Sequence, residues 1–430
     1  MRLRVDHTAP PAATLSSKNE ALFHLPRTGA RHFESPLGFS TSLKWNVELN
    51  FRIQTYVSSF HALQRTAWEG NRRRCSFETS FDELGRAAVL SSVAARPADD
   101  AFRVEGEMRA AQLASAFTFK KGRVPLLNWS YIEALRDFTR AGRTGDFGQA
   151  VGFLVCLRAL NFRFIVDYEQ FCRAVGRPAV KGRRPDYVAF NSPEDSTFAV
   201  VECKGRLPSD TSSSTPAAWK AALFDAYEQT KAGFEHLASS RYLPSRGIDR
   251  LISVLALGQG KGATVGIKAQ VMQKSEVVEP WELNASQRRA LRRLAYGMWG
   301  TMAGGSALGK TLGSAKPFSA HHDGSVHVVE GIEYWVPDFE AGCRSSPFAL
   351  MAEVLPLSTI GMSQPRHGIQ RDTLRSLSGP SEMQSAVRDY TVTKVQGNTV
   401  AHNYGDGTAL FDGQATHRLY ARSLSEFMRG

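Results

Sequence analysis

RRPDYVAF at residues 183–190 and TFAVVECKG at residues 197–205 decide the fold. Each is an apolar run with its charges gathered at one end. Pro185 and Asp186 open the first run, and Glu202-Cys203-Lys204 close the second. Runs of Val, Ala and Phe joined by turn formers, here NSPEDS at 191–196, read as two buried strands with a tight connection. Side chains two apart on a strand share a face, so Glu202 and Lys204 project together while Cys203 turns away. Paired as a hairpin, the strands bring Asp186 beside Glu202 at one end of a sheet. Charges at a buried sheet end are costly without a partner or a ligand.

Outward from this hairpin, FGQAVGFLVCLRAL (147–160) reads as an apolar helix and FRFIVDYEQF (162–171) as a strand. After the Ser/Thr stretch SDTSSSTP (209–216), AAWKAALFDAYEQTKAGFEHLA (217–238) is an amphipathic helix with Pro216 at its start. RLISVLAL (250–257) closes the unit as a buried strand. Further upstream, LKWNVELNFRIQTYV (43–57) alternates as a half-buried strand. SFDELGRAAVLSSVAARP (80–97) follows as a helix with Ser80 as N-cap and Glu83 three residues on. ADDAFRVEGEM (98–108) reads as a further strand. Downstream lie a strand, ATVGIKAQVM (263–272), a basic helix, NASQRRALRRLAYGMW (284–299), and β-like segments at 326–336 and 347–357.

Two carboxylates and an amine converging on one spot suit phosphodiester hydrolysis. Hard carboxylate oxygens of Asp186 and Glu202 bind Mg²⁺ or Mn²⁺, which keeps positions open for water and a phosphate oxygen. The metal polarises the phosphate and acidifies bound water. Lys204 would orient the nucleophile and stabilise developing negative charge. The backbone carbonyl of Cys203 is a candidate further ligand. Arg183, Arg184 and Arg206 flank the cluster and are candidates for gripping phosphates, with solvated surface arginines as the alternative.

This pattern resembles the PD-(D/E)xK superfamily of restriction-endonuclease-like nucleases over residues 146–258. The resemblance implies Asp186 and Glu202 as metal ligands, Lys204 as the catalytic lysine, and a Mg²⁺- or Mn²⁺-dependent endonuclease acting on DNA. The helix carrying Tyr227, Gln229 and Lys231 resembles the one that supports the site in such proteins. Two departures stand out. Gln149, with Asp146 nearby, occupies the place where members often carry a Glu on the first helix, and Gly233 stands where the RecB-like branch has a Tyr.

The formal net charge of +12 favours a polyanion such as nucleic acid as partner, and most of the excess lies before residue 146. Five scattered cysteines with no CxxC pair argue against a disulfide framework or a Cys-based zinc site. The first residues lack an apolar signal core and no run approaches membrane-spanning length, which predicts a cytoplasmic protein without a membrane partner.

GGSALGKT (304–311) matches the phosphate-loop pattern letter for letter. A working phosphate loop follows a strand and opens a helix, whereas the preceding RRALRRLAYGMW reads as helix. Pro337-Asp338 followed by Glu353 mimics the spacing of the main motif to within one residue, but Leu355 takes the lysine's place. His321, His322, Asp323 and His327 read as a solvated loop.

The expected fold is α/β: a restriction-endonuclease-like core, with a mixed central sheet flanked by helices, between a β-containing N-terminal domain and an α/β C-terminal domain. Expected boundaries are a leader at 1–36 and domains at 37–145, 146–260 and 261–430, the last of unknown role. The expected function is metal-dependent hydrolysis of DNA, in defence, restriction, mobile-element processing or repair. An oligomer or a protein partner is compatible with it. The alternatives are an inactive nucleic-acid-binding or assembly module that retains the fold, and a nucleotide-binding enzyme using Gly304–Thr311.

Overall fold

The structure, a computed structural model, describes residues 50–64, 73–92, 109, 112–113, 115–119, 125–177, 182–191, 198–207, 216–238, 248–259, 266–276, 283–314, 322–337, 366–378, 391–395, 398–411, 420–421 and 424–429. The chain divides into two compact units, Met1–Trp45 and Asn46–Gly430. The first unit lies outside the described residues, as do the expected segments at 98–108, 192–197, 209–215 and 347–357 and the residues Asp338, Glu353 and Cys343.

The apolar runs become the middle of a seven-stranded mixed sheet. Its strands are β1 (Asn50–Ser59), β2 (Arg73–Ser80), β5 (Phe164–Asp167), β6 (Tyr187–Phe190), β7 (Phe198–Arg206), β8 (Ile248–Gly258) and β9 (Ile267–Ser275). They lie in the order β2-β1-β9-β8-β7-β6-β5. β7 runs parallel to β8 and β1 parallel to β9, and every other neighbour is antiparallel. Burial on both faces explains why β7 and β8 read as continuous apolar runs instead of alternating ones. A small hairpin of β3 (Phe117–Phe119) and β4 (Pro125–Leu127) lies outside this sheet.

The sheet crosses the boundaries expected at 145/146 and 260/261. β1 and β2 come from the N-terminal side and β9 from the C-terminal side, and β9 pairs with both β8 and β1. Alternating Phe51, Ile53 and Thr55 mark a half-buried strand, but which sheet a strand joins is fixed by contacts far away in sequence. The strand expected across 162–171 is also shorter. Asp167 accepts a hydrogen bond from the Gln170 N–H at 2.9 Å and starts a helix at Tyr168, so N-capping overrides the apolar run.

Helices cover both faces. On one face lie α1 (Phe60–Gln64) and the long amphipathic helix Pro216–Ala238. The other face is covered by α2 (Phe81–Ser92) and the helix Asp137–Arg158. In chain order the helices are α3 (Trp129–Ala134), α4 (Asp137–Arg158), α5 (Tyr168–Ala174), α6 (Pro216–Ala238), α7 (Ala285–Gly304), α8 (Ser306–Gly313), α9 (Arg371–Ser378) and α10 (Leu424–Arg429). The expected capping glutamate of α2, Glu83, is fully buried; it accepts from Thr79 Oγ1 at 2.8 Å and pairs with Arg158 of α4 at 2.6 Å.

The C-terminal part is a second seven-stranded sheet, antiparallel throughout. Its strands are β10 (Gly324–Val329), β11 (Ile332–Pro337), β12 (Arg366–Gln370), β13 (Thr391–Val395), β14 (Asn398–Asn403), β15 (Thr408–Phe411) and β16 (Tyr420–Ala421). Its β10–β11 hairpin turns through Glu330 and Gly331, both with positive φ (52° and 77°), as a two-residue turn matching strand twist requires. The helix α7 packs against α5 and β5 on one side and β11 and β12 on the other. Arg86 of α2 reaches the β14–β15 turn, donating to Thr408 Oγ1 at 3.0 Å and lying 3.6 Å above the Tyr404 ring.

The phosphate-loop match resolves as a helical hairpin. α7 runs through Gly304, Gly305 turns the chain with φ 94°, and α8 begins at Ser306. A Cβ at Gly309 would sit 1.9 Å from Thr301 Oγ1, so these small residues serve close helix packing. A helix, not a strand, precedes the motif, and a second helix takes up Ser306–Gly313, so the segment does not have the strand–loop–helix geometry of a phosphate loop. Among the described residues, Cys75, Cys156, Cys172 and Cys203 are free thiols, and no helix is long and apolar enough to cross a membrane.

Candidate active site

β6 and β7 pair as the expected hairpin, with Tyr187 opposite Val201 as the last pair. Beyond it, side chains replace the ladder. The Asp186 N–H donates to Glu202 Oε2 at 3.1 Å, and the Cys203 N–H donates to Asp186 Oδ2 at 2.8 Å. The two carboxylates thus meet at the open end of the β6–β7 seam. A strand residue sends its N–H and C=O to the same side. The Cys203 carbonyl therefore leaves β7 on the edge where Asp186 sits.

Lys204 shares its face with Glu202, as strand alternation predicts. Its Nζ donates to Glu202 Oε1 at 2.7 Å and lies 3.6 Å from Asp225 Oδ2. Gln229, with its amide nitrogen turned to Glu202 and its oxygen to Lys204, bonds both at 3.0 and 2.5 Å. On the other face, Cys203 points at α4.

Glycines set that approach: a Cβ at Gly148 would stand 2.4 Å from the Gly205 nitrogen, and one at Gly152 would stand 2.2 Å from Cys203 Sγ. With helix and strand backbones in contact, Gln149 reaches the sheet end and donates from Nε2 to Asp186 Oδ1 at 3.1 Å.

Of the expected supporting residues, Gln149 and Gln229 enter the site and two do not. Asp146 is engaged by Arg109 at 2.8 Å and Arg143 at 3.9 Å, and Lys231 lies 3.9 Å from Glu235 on the outside of α6. Arg183 pairs with Asp225 at 3.1 Å, next to Lys204, while Arg184 pairs with Glu169 and Arg206 is exposed at the end of β7. The sequence reading missed Asp225. It lies one turn before Gln229, and that i,i+4 spacing places both on one stripe of α6. Gly233 also gains a reason. A Cβ there would lie 2.3 Å from Pro185 Cγ, and the Tyr168 hydroxyl donates to its carbonyl at 2.8 Å. A tyrosine at position 233 has no room, and the aromatic ring beside it comes from α5.

Burial governs the electrostatics. Glu202 is pushed up to about 8, chiefly by desolvation and then by the negative charge of Asp186, against the pull of Lys204. Burial also raises Asp186, offset by the Cys203 N–H and Gln149. Two oxygen-donor carboxylates held at close quarters are the kind of donor set that suits a hard divalent cation. Among the described residues, no group of three or more His, Cys, Asp or Glu side chains could hold a metal ion. This donor set is two carboxylates with a neutral Gln149 beside them, which fits one cation better than two.

Two expected results follow from this geometry. In metal-free protein, Glu202 holds its proton in the fold but loses it on unfolding, so its contribution falls as pH rises from about 4.5 to about 8. Relative to wild type, Glu202→Gln should therefore gain stability across that window, by up to about 1.4 kcal/mol per pH unit. Thermal unfolding of both proteins in EDTA at pH 5, 6.5 and 8 measures this, and a constant gap would show that Glu202 titrates normally. Second, Gln229→Ala should cost about 10–100-fold in metal-dependent turnover while leaving the fold intact, because Gln229 orients both Glu202 and Lys204. Steady-state rates beside circular dichroism check it.

Comparison with protein-family models, curated proteins and solved structures found no match for this chain.

Proposed function

We propose that the chain is a metal-dependent phosphodiesterase of the PD-(D/E)xK type, acting on nucleic acid, with DNA as the first substrate to test. The observation that carries this reading is the convergence of Asp186, Glu202 and Lys204 at one sheet end, held by Gln149 and Gln229. The run β5-β6-β7-β8 between α4 and α6 supports a restriction-endonuclease-like core.

Asp186, Glu202 and the Cys203 carbonyl would hold one Mg²⁺ or Mn²⁺. When bound, that ion polarises the phosphate and acidifies a water. The chain's own groups do the remainder. Lys204, which donates to Glu202 at 2.7 Å, would orient the attacking oxygen and meet charge developing on the phosphate. Gln229 holds the Lys204–Glu202 pair in register, and Gln149 fixes the Asp186 carboxylate.

The test is cleavage of plasmid, linear duplex, single-stranded DNA and RNA in Mg²⁺, Mn²⁺ or EDTA. The proposal expects cutting in metal and none in EDTA. Equal cutting in EDTA, or none of any substrate in either metal, counts against it.

A further inference from the structure

The pairing of β7 through β2 aligns residues into rows across the sheet, and residues in one row share a face. One row runs Lys204, Leu255, Gln270, Tyr56, Arg74, and the next runs Arg206, Leu257, Lys268, Gln54, Ser76. Arg52, opposite Glu78, begins the row beyond. Lys204 and Arg206 belong to the face that carries the active site, so Lys268, Arg52 and Arg74 lie on that face too. Arg52, Arg74 and Arg206 are exposed and Lys268 is half-buried.

Gln54, with its amide oxygen turned to Arg74, fixes that guanidinium at Nε, 3.3 Å away, and at Nη2. The single carboxylate on these rows is Glu78, 3.3 Å from Arg52, and both side chains are about two-thirds exposed (60% and 67%). An exposed pair of this kind is weak, and a phosphate can replace its carboxylate.

We infer that this stripe of cations is the track for the nucleic-acid backbone on one side of the cleaved phosphate, running from Lys204 and Arg206 over β9 to the β1–β2 hairpin. The identity of the partner rests on the phosphodiesterase reading above; the stripe itself rests on the register. Four strand spacings of about 4.8 Å separate β7 from β2, about 19 Å in all. That is the length of roughly five to six base pairs at 3.4 Å each. The hairpin that carries the far end thereby acquires a role in substrate binding. Contacts of this kind go to phosphates and carry no sequence information.

The experiment uses the full chain in EDTA, with fluorescein-labelled 30-nucleotide single-stranded and duplex DNA and a NaCl titration. The variants are Arg52→Ser, Lys268→Ser and Arg74→Ser, singly and together. Arg73→Ser is the control, because Arg73 is also exposed but points to the opposite face of β2. Each stripe variant should reduce the slope of log K against log salt by about 0.7–0.9. The triple variant should bind at least 10-fold more weakly at 150 mM NaCl, and Arg73→Ser should match wild type. Unchanged binding in the triple variant, equal weakening by Arg73→Ser, or no binding by wild type would each overturn the inference. Cleavage in Mg²⁺ is read separately. Stripe-dependent binding without cutting would remove the phosphodiesterase reading alone, and cutting by a triple variant with wild-type affinity would remove the stripe alone.

Discussion

Replacing Asp186 by Asn is expected to abolish metal-dependent cleavage while leaving the protein at least as stable as the parent. An Asn side chain still offers an oxygen to the Cys203 N–H, now 2.8 Å from Asp186 Oδ2, and a flip of the Gln149 amide, whose Nε2 now donates to Oδ1, turns an acceptor to the new NH2, so no buried donor is orphaned. What disappears is the negative charge that a divalent cation needs and that disfavours the ionised form of its neighbour Glu202. Activity and stability should therefore move in opposite directions, as they do where a strained charge arrangement is kept for function. Lys204→Ala, by contrast, should keep the cation and lose turnover by about 10²–10³-fold, the usual loss when a group stabilising transition-state charge is removed. Rates measured beside thermal unfolding check both variants. An Asp186→Asn protein that cuts at the parental rate would remove Asp186 from the chemistry.

The largest structural effect is expected at Gly205. A Cβ there would stand 1.8 Å from the Thr144 carbonyl oxygen of α4, and that atom is backbone, with no flexible end to swing aside. Gly205→Val should force α4 away from β7, costing about 3 kcal/mol or more and drawing Gln149 off Asp186. Gly142→Ala, in the same helix with nothing within 4 Å of the added carbon, should instead stabilise by about 0.5–1 kcal/mol. Urea unfolding of the two variants separates a general intolerance of helix α4 to substitution from the specific contact. Equal midpoints would show that the helix does not touch the strand.

The contrast between these glycines shows where sequence reading stops. Asp186, Glu202 and Lys204 could be found because strand alternation and hairpin pairing are local, and the register of β6 with β7 follows from a short connection. Helix α6 was legible for the same reason, and Gln229 with it. Gly148, Gly152 and Gly205 carry no signal of their own, because their role exists only once α4 lies on β7. The membership of β1, β2 and β9 in one sheet was equally hidden. Their apolar alternation fixes a buried face but says nothing about which distant strand supplies the partner. The strand that gave way to helix α5 failed on a capping rule: Asp167 with Gln170 three residues on is an N-terminus signal that the apolar run FRFIVDYEQF masks. Asp225 was within reach of a helical-wheel argument, one turn from Gln229.

The central claim, that Asp186 and Glu202 form a divalent-cation site, is tested most directly by titrating metal-free protein with Mn²⁺ and following free Mn²⁺ by electron paramagnetic resonance. The account predicts one Mn²⁺ bound per chain by wild type and by Lys204→Ala, tighter as pH rises toward 8, and lost in Asp186→Asn and Glu202→Gln. Absence of binding by wild type, or binding that survives both carboxylate substitutions, would contradict it.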